Sequence, residues 1–365
     1  YKYDNVGNIV SIEDYGLNTR TQIFDYDDVN RLITSSGSMN CQSNVLDYES
    51  SYSYSDAGRI LHKNDSSIRL NNALGIRNVL YKNGYSYSAP HNPFAISSIT
   101  DAVTGDITDL SWDLNGNLIG SDSRRSFHTR RLCWTEDNRL QGFIESSEDN
   151  GGCAAYYNYG AGGDRNLKLT SPKLSVHQNA EDLMDRPPLA YASIYASPLI
   201  TLTKGGYTKH YFEGTNRICS KIGGGFINVN QQELDSMVEA VDIDGEYHAL
   251  QQNQENGVFS TFETCLGTTP EIEMANDLKK VIETFELRRD DHEPAFFYHS
   301  DHLGSSAYLT DEAGAVTQTL NYLPYGEDWV DVQNYVDTRY PRLGIYGFNA
   351  KEKDYESGYH YYGAR

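Results

Sequence analysis

Four groups of residues in this chain have the types and spacing that chemistry uses. His299-Ser300-Asp301-His302 offers two imidazoles and a carboxylate, the donor types of a metal site. Alternation along a strand would set His299 and Asp301 on one face and His302 on the other. No remote Cys/His cluster is visible to complete a coordination shell, so no metal is assigned. Ser305 near His302 has the residue types of a nucleophile and its base. No nucleophile-elbow pattern surrounds it, and Gly304-Ser305-Ser306 reads as turn chemistry. The pairs Glu352/Asp354 and Asp354/Glu356 have the types of a carboxylate dyad for glycosidic acid–base work. Charges beside turns are ordinarily solvated, and nothing nearby supplies the apolar pocket that would raise one of the acids. Gly223-Gly224-Gly225 lacks the Lys-Ser/Thr that completes a phosphate loop. The sequence therefore assigns no catalytic residue, cofactor or metal.

The elements that carry these groups are repetitive. A seven-residue pattern recurs: an aromatic, Asp/Ser/Thr, two variable residues, Gly or Asn, Asn or Arg, and an aliphatic. It runs as Tyr3-Asp4-Asn5-Val6-Gly7-Asn8-Ile9, then Tyr26-Asp27-Asp28-Val29-Asn30-Arg31-Leu32, then Tyr54-Ser55-Asp56-Ala57-Gly58-Arg59-Ile60. Two further copies begin at Trp112 and Trp134, and a looser one spans Tyr157 to Leu167. A period near 20 to 30 residues points to a repeat architecture. Each copy reads as a β-hairpin. The aromatic ends one strand, and the acidic or hydroxyl residue bonds backbone N–H groups in an Asx-type turn. Gly or Asn then supplies the positive φ of a tight turn. The aliphatic opens the returning strand, with alternation after it as in Ile9-Val10-Ser11-Ile12. Hairpins stacked side by side make one continuous sheet.

Composition narrows the class. The 29 tyrosines far exceed the 12 phenylalanines, which suits a broad sheet with a wet face better than a sandwich core. A formal net charge of −21 argues against a nucleic-acid surface and fits a basic or loosely folded partner. The five cysteines, Cys41, Cys133, Cys153, Cys219 and Cys265, are scattered without a CxxC pair. They support neither a disulfide framework nor a zinc site, and most read as small buried hydrophobes. The most apolar stretch, Leu189 to Leu202, is too short and broken to span a bilayer. There is no initiating Met or signal-like segment, and the chain reads as an excised piece of a longer polypeptide.

Along the chain, residues 1–170 carry the repeats, and residues 171–222 a linker and a further hairpin at Tyr207 to Ile218. Within the repeat region Tyr81 to Tyr87 and Phe94 to Ile99 suit strands. An insertion follows at 223–294, with an amphipathic helix expected near 270–288: Thr269 as N-cap, Pro270 at the first position, and apolar residues from Ile272 to Phe285 at helical spacing. Its mixed-sign polar face argues for packing on the sheet rather than on a membrane.

The last segment, 295–365, gives these repeats a family resemblance. It contains Asp301-His302-Leu303-Gly304-Ser305, Thr310-Asp311-Glu312-Ala313-Gly314 and Tyr322-Leu323-Pro324-Tyr325-Gly326-Glu327. It closes with Tyr346-Gly347-Phe348-Asn349-Ala350-Lys351-Glu352-Lys353-Asp354 and Ser357-Gly358-Tyr359-His360-Tyr361-Tyr362-Gly363-Ala364-Arg365. In order and spacing these blocks resemble the core segment of the Rhs/YD-repeat family of polymorphic toxins and Tc-toxin shells. His91-Asn92-Pro93-Phe94-Ala95-Ile96 is similar to a short repeat element of the same family. The resemblance implies an all-β fold: repeated hairpins forming a large spiral sheet, part of a hollow shell, with a small helical insertion. It implies a wall that encapsulates a C-terminal toxin or effector domain, completed by upstream repeats or a partner shell chain. It also implies a bacterial protein, secreted or at the cell surface. The family's aspartyl-type autoprotease motif would lie past Ala364-Arg365, so this segment is not expected to be an enzyme. The alternatives are an extracellular YD-repeat scaffold that binds glycans or proteins and, more weakly, a glycoside hydrolase.

Overall fold

The structure, a computed structural model, describes residues 1–16, 19–41, 44–72, 75–89, 91–147, 151–171, 191–203, 206–223, 256–268, 293–333 and 346–363. The helix expected near 270–288 and most of the linker after Ser171 lie outside the described residues. In chain order the strands are β1 (Lys2–Tyr3), β2 (Ile9–Asp14), β3 (Arg20–Tyr26), β4 (Leu32–Cys41), β5 (Asn44–Tyr54) and β6 (Ile60–Asn72). Next come β7 (Gly75–Ser86), β8 (Ser98–Asp101), β9 (Asp106–Trp112), β10 (Leu118–Ser123), β11 (Thr129–Trp134) and β12 (Leu140–Ser147). β13 (Gly151–Tyr159), β14 (Arg165–Thr170), β15 (Tyr191–Ser197), β16 (Ile200–Thr203), β17 (Gly206–Glu213) and β18 (Asn216–Gly223) follow. A short helix, α1, covers 256–266, its last part (Thr261–Leu266) wound as π-helix. The rest are β19 (Ala295–Ser300), β20 (Ser306–Thr310), β21 (Val316–Tyr322), β22 (Asp328–Gln333), β23 (Glu352–Asp354) and β24 (Tyr359–Tyr361). Among the described residues 22 strands belong to one sheet and β23–β24 form a separate pair. The fold is all-β and built of sequential antiparallel hairpins, as expected from the repeats.

The heptads form one recurrent turn. In the second copy Asp27 N–H donates to the Arg31 carbonyl, and Asn30 N–H to the Asp27 carbonyl, both at 2.9 Å. The Asp27 carboxylate, at Oδ1, accepts from the N–H groups of Val29 (3.1 Å) and Arg31 (2.9 Å). Asp4 and Asp113 make the same two bonds in their copies. The fifth position needs a positive φ, and it is met by Gly7 (95°), Asn30 (64°), Gly116 (80°) and Asn138 (58°). These are the residue types that tolerate it at little steric cost.

The aromatic and the Arg of the pattern join one copy to the next. The Tyr26 hydroxyl donates to the Ile9 carbonyl (2.9 Å), Tyr54 to Leu32 (2.6 Å) and Tyr87 to Ile60 (2.7 Å). Trp112 Nε1 donates to the Ile96 carbonyl at 2.6 Å, which places the Asn92–Ile96 turn in the same ladder. Each Arg reaches forward. Arg31 sits 4.8 Å over the Tyr54 ring and donates to the Ser55 carbonyl, and Arg59 does likewise to Tyr87 (5.1 Å) and the Pro93 carbonyl. Arg139, Tyr159 and the Leu140 carbonyl repeat the arrangement later in the chain. A turn signal that is weak singly thus becomes a hydrogen-bonded and cation–π spine between repeats.

The chain divides into two compact units, Tyr1–Ser126 with Gln318–Asn334, and Phe127–Thr317 with Tyr335–Arg365. In the first unit β5 alternates cleanly: Leu46, Tyr48, Ser50 and Tyr52 are buried while Val45, Asp47, Glu49 and Ser51 are exposed. The buried side meets the β22 residues Trp329 and Val330 and the turn residue Leu323, which pack with Met39, Leu46 and Tyr48. Trp329 is fully buried, edge-on to Tyr48 at 4.9 Å between ring centroids. A parallel bridge pairs Val330 with Asn71.

In the second unit the run from Cys153 to Tyr157 on β13 is buried on both faces. On one face Ile144, Ala154, Tyr156, Leu167 and Leu169 pack against Val258 and Phe262 of α1. Gly142 permits this approach, since a Cβ there would lie 2.8 Å from Thr261 and 2.9 Å from Leu266. A disulfide between Cys133 on β11 and Cys265 on α1 fastens the helix. This corrects the reading that the scattered cysteines support no disulfide: the partners are 132 residues apart, so only the fold brings them to a Cα–Cα distance of 5.8 Å. Cys153 and Cys219 form no disulfide and are buried, as expected.

Candidate functional site

The opposite face of the β13–β15 sheet holds the carboxylates singled out in the sequence. Glu352 and Asp354 are not solvated turn charges. Both are buried, and they point with Glu356 at a pair of cations on β14. The reason is local. The pairing of β13 with β14 shifts register between Asn158 and Tyr159, leaving Asn166 unmatched. That bulge lets Arg165 and Lys168, an odd number of residues apart, reach one carboxylate.

Arg165 grips Asp354 with two parallel bonds of 2.7 Å. Lys168 reaches Asp354 at 2.8 Å, Glu356 at 3.1 Å and Glu352 at 3.6 Å. Hydroxyls complete the shell. Tyr195 donates to Glu352 (2.6 Å) and Tyr157 to Glu356 (2.8 Å). The Arg165 guanidinium stacks 4.0 Å over the Tyr361 ring and 4.6 Å over Tyr157. Such bidentate, ring-sandwiched geometry is what arginine offers and lysine does not.

The charge states follow. Burial pushes the Asp354 carboxyl up, but Lys168 and Arg165 outweigh burial and hold it below the usual carboxylate range. Burial likewise opposes the charged form of Lys168, and the surrounding carboxylates, Asp354 first, keep its ammonium well protonated. Tyr157 and Tyr195 are pushed up, first by burial and then by the adjacent carboxylates. A carboxyl held anionic between two cations is a poor proton donor, so Asp354 does not fit the raised acid that the glycosidic reading requires.

What the cluster holds is the hairpin β23–β24. This hairpin has its own two-stranded ladder, Glu352↔Tyr361, Lys353↔His360 and Asp354↔Tyr359. Further polar contacts pin its ends. Tyr361 OH accepts from Arg165 N–H (3.0 Å), the Gly363 carbonyl accepts from Arg139 (3.1 Å), and the Tyr346 carbonyl accepts from Ser306 Oγ (2.8 Å). Gly347 and Lys351 close the preceding turn at 3.0 Å, and Gly358 closes the hairpin's own turn with a φ of 76°.

The remaining core-segment residues fall in turns of the repeat type. Asp301 Oδ1 accepts from the N–H groups of Leu303 and Ser305, both at 2.8 Å, with Gly304 at φ 79°. Strand alternation therefore stops at Ser300, and the expected arrangement, with His299 and Asp301 on one face and His302 on the other, does not arise. His299 contacts Thr310 (3.0 Å), and His302 sits exposed at the turn. Ser305 is fully buried, and its Oγ accepts from Asn349 N–H (3.0 Å). Asp311 caps Ala313 and Ala315, with Gly314 at φ 78°. Pro324 lies in the Leu323–Glu327 turn, where Gly326 has a φ of 91° and Glu327 pairs with Lys63. Ala364 and Arg365 lie outside the described residues. Among the described residues no group of three or more His, Cys, Asp or Glu is placed to hold a metal, and no helix is long and apolar enough to cross a membrane.

Sequence reasoning missed Arg165, Lys168, Tyr157 and Tyr195 as partners of the core motif. The loose repeat from Tyr157 to Leu167 contained two of them, but their partners lie some 190 residues away.

No protein-family model and no curated protein matches this chain. Among solved structures it is similar to TcdB2-TccC3-TEV, with 14% identity over 100% of this chain and 17% of that one, at a TM-score of 0.41. It is similar to the Photorhabdus luminescens Tc holotoxin pore, at 14% identity over 100% of this chain and 19% of that one, TM-score 0.37. A porin-like protein from Bacteroides uniformis matches 52% of this chain and 88% of its own, at 12% identity and a TM-score of 0.27. The chain spans about a fifth of the length of the toxin-complex chains it matches. Superposition this loose carries no argument, and the functional reading rests on the chain's own residues.

Proposed function

We propose that this chain is a wall segment of an Rhs/YD-repeat β-shell that encloses a C-terminal toxin or effector domain and helps deliver it. The observation that carries the reading is the shared turn. The capped, positive-φ turn of the first heptads recurs at Asp301 and Asp311 in the core segment, so repeats and core are one kind of masonry. The character of the covered faces supports it as well. Buried positions include Gln22, Ser35, Ser50, His210, Ser220 and Gln318 beside the tyrosines, a wetter lining than a conventional apolar core. The Cys133–Cys265 bond fits assembly in an oxidising compartment, hence export. On this reading the wall contains rather than catalyses, and upstream repeats or a partner chain complete it.

The reading is tested by protease protection. The parent polypeptide, with whatever sequence it carries beyond this segment, is digested while the wall is intact and again after denaturation. Enclosure predicts that the additional sequence is cut only in the second case. Cutting at equal rates in both would contradict it, and saturable glycan binding by the intact wall would favour a surface adhesin instead.

A further inference from the structure

Two covers lie on opposite faces of the β13–β15 sheet, and they are attached in different ways. Helix α1 is held by the apolar cluster around Phe262 and by a disulfide. The β23–β24 hairpin contributes no residue to that cluster. It rests on the sheet face-on, through three carboxylates set at alternate positions, 352, 354 and 356, against the Arg165/Lys168 pair. It forms its own small sheet, so its docking leaves its internal ladder complete.

We propose that the Arg165/Lys168 face is a recognition seat for an acidic hairpin, of which residues 346–363 are the built-in and releasable occupant. Four features specify the occupant. Arg165 reads one carboxylate bidentately through its planar fork. Lys168 stands between all three acids as a point charge. Tyr195 and Tyr157 each donate to one of the outer acids, and so set the spacing. The Tyr361 ring covers the guanidinium and keeps water from it. A hairpin with Glu or Asp at two alternate strand positions, a third two residues on in its turn, and an aromatic on the returning strand meets every one of these donors. The seat stands on contacts within one unit and is independent of whether the wall encloses cargo.

The test uses the full chain carrying Glu352→Gln, Asp354→Asn and Glu356→Gln. Hydrogen exchange is expected to show 346–363 losing protection while β13 and β14 keep theirs. A labelled free peptide of residues 346–363 should then bind this variant saturably. The same peptide with its three acids neutralised should bind about 30-fold more weakly or worse. The unmodified chain should not bind the peptide, because its own hairpin fills the seat. Retained protection of 346–363 in the variant, or equal binding of charged and neutral peptides, would overturn the proposal. Should the variant not fold, exchange on the unmodified chain decides. Opening of 346–363 ahead of β12–β14 supports a releasable occupant, and exchange only together with those strands refutes it.

Discussion

At the scale of single residues, the chain uses acids as backbone caps and ion-pair partners. Replacing Asp301 by Ala removes the acceptor of two backbone N–H groups. It should cost about 1–2 kcal/mol, read as faster amide exchange at Leu303 and Ser305. His210 gives a pH signature. It lies buried between Thr201 and Ser220, with Arg217 at 2.6 Å, and burial followed by that guanidinium pushes its imidazole down to about 3 from 6.5. The folded state refuses a proton that the unfolded chain accepts. Stability is therefore full above about pH 6.5 and falls as pH drops towards 3, by about 1.4 kcal/mol per unit. Denaturation midpoints between pH 7 and about 5 should show this slope, and His210→Gln should flatten it. Asp354 adds a second loss at lower pH, because its carboxyl is held below the usual range and its pairing fails only as that value is crossed. The turn residues were legible in the sequence, since Asp, Gly and Asn act through local backbone geometry. His210 and Arg165 were not, because burial and charge partners are products of packing.

At the scale of elements, each unit is a hairpin array closed by something laid on its face. In the first unit that role falls to β22, and Trp329→Ala should cost about 3–5 kcal/mol by emptying a fully buried site. In the second unit α1 sits close because position 142 lacks a side chain. Gly142→Val should lift α1, seen as exchange of amides in 256–266 with β11 and β12 intact. Reduction of Cys133–Cys265 should lower stability by about 2–5 kcal/mol, measured by denaturation with and without reductant. The strands and their hairpin order were readable from the heptads, but the strand expected from Phe94 to Ile99 begins only at Ser98, its first residues being taken up by the Asn92–Ile96 turn. The bulge at Asn166 was not: Arg165-Asn166-Leu167 looks like ordinary alternation until the register with Tyr159 is known. The disulfide was hidden for a related reason, its halves belonging to a strand and a helix far apart in the chain.

At the scale of the whole molecule, the sequence offers a sheet that grows by adding identical turns, each clasped to the one before by an aromatic donor. The Tyr54–Leu32 and Tyr26–Ile9 bonds are the working unit of that growth. A sheet of this kind has no intrinsic end, which is why containment by a wall, with no catalytic residue assigned, is the function proposed. The direct test is a cryo-electron microscopy map of the parent polypeptide at side-chain resolution. The account predicts a lumen bounded by the repeat sheet, lined by polar residues and tyrosines, with separate density inside it. A solid interior packed by apolar side chains, with no enclosed volume, would contradict it.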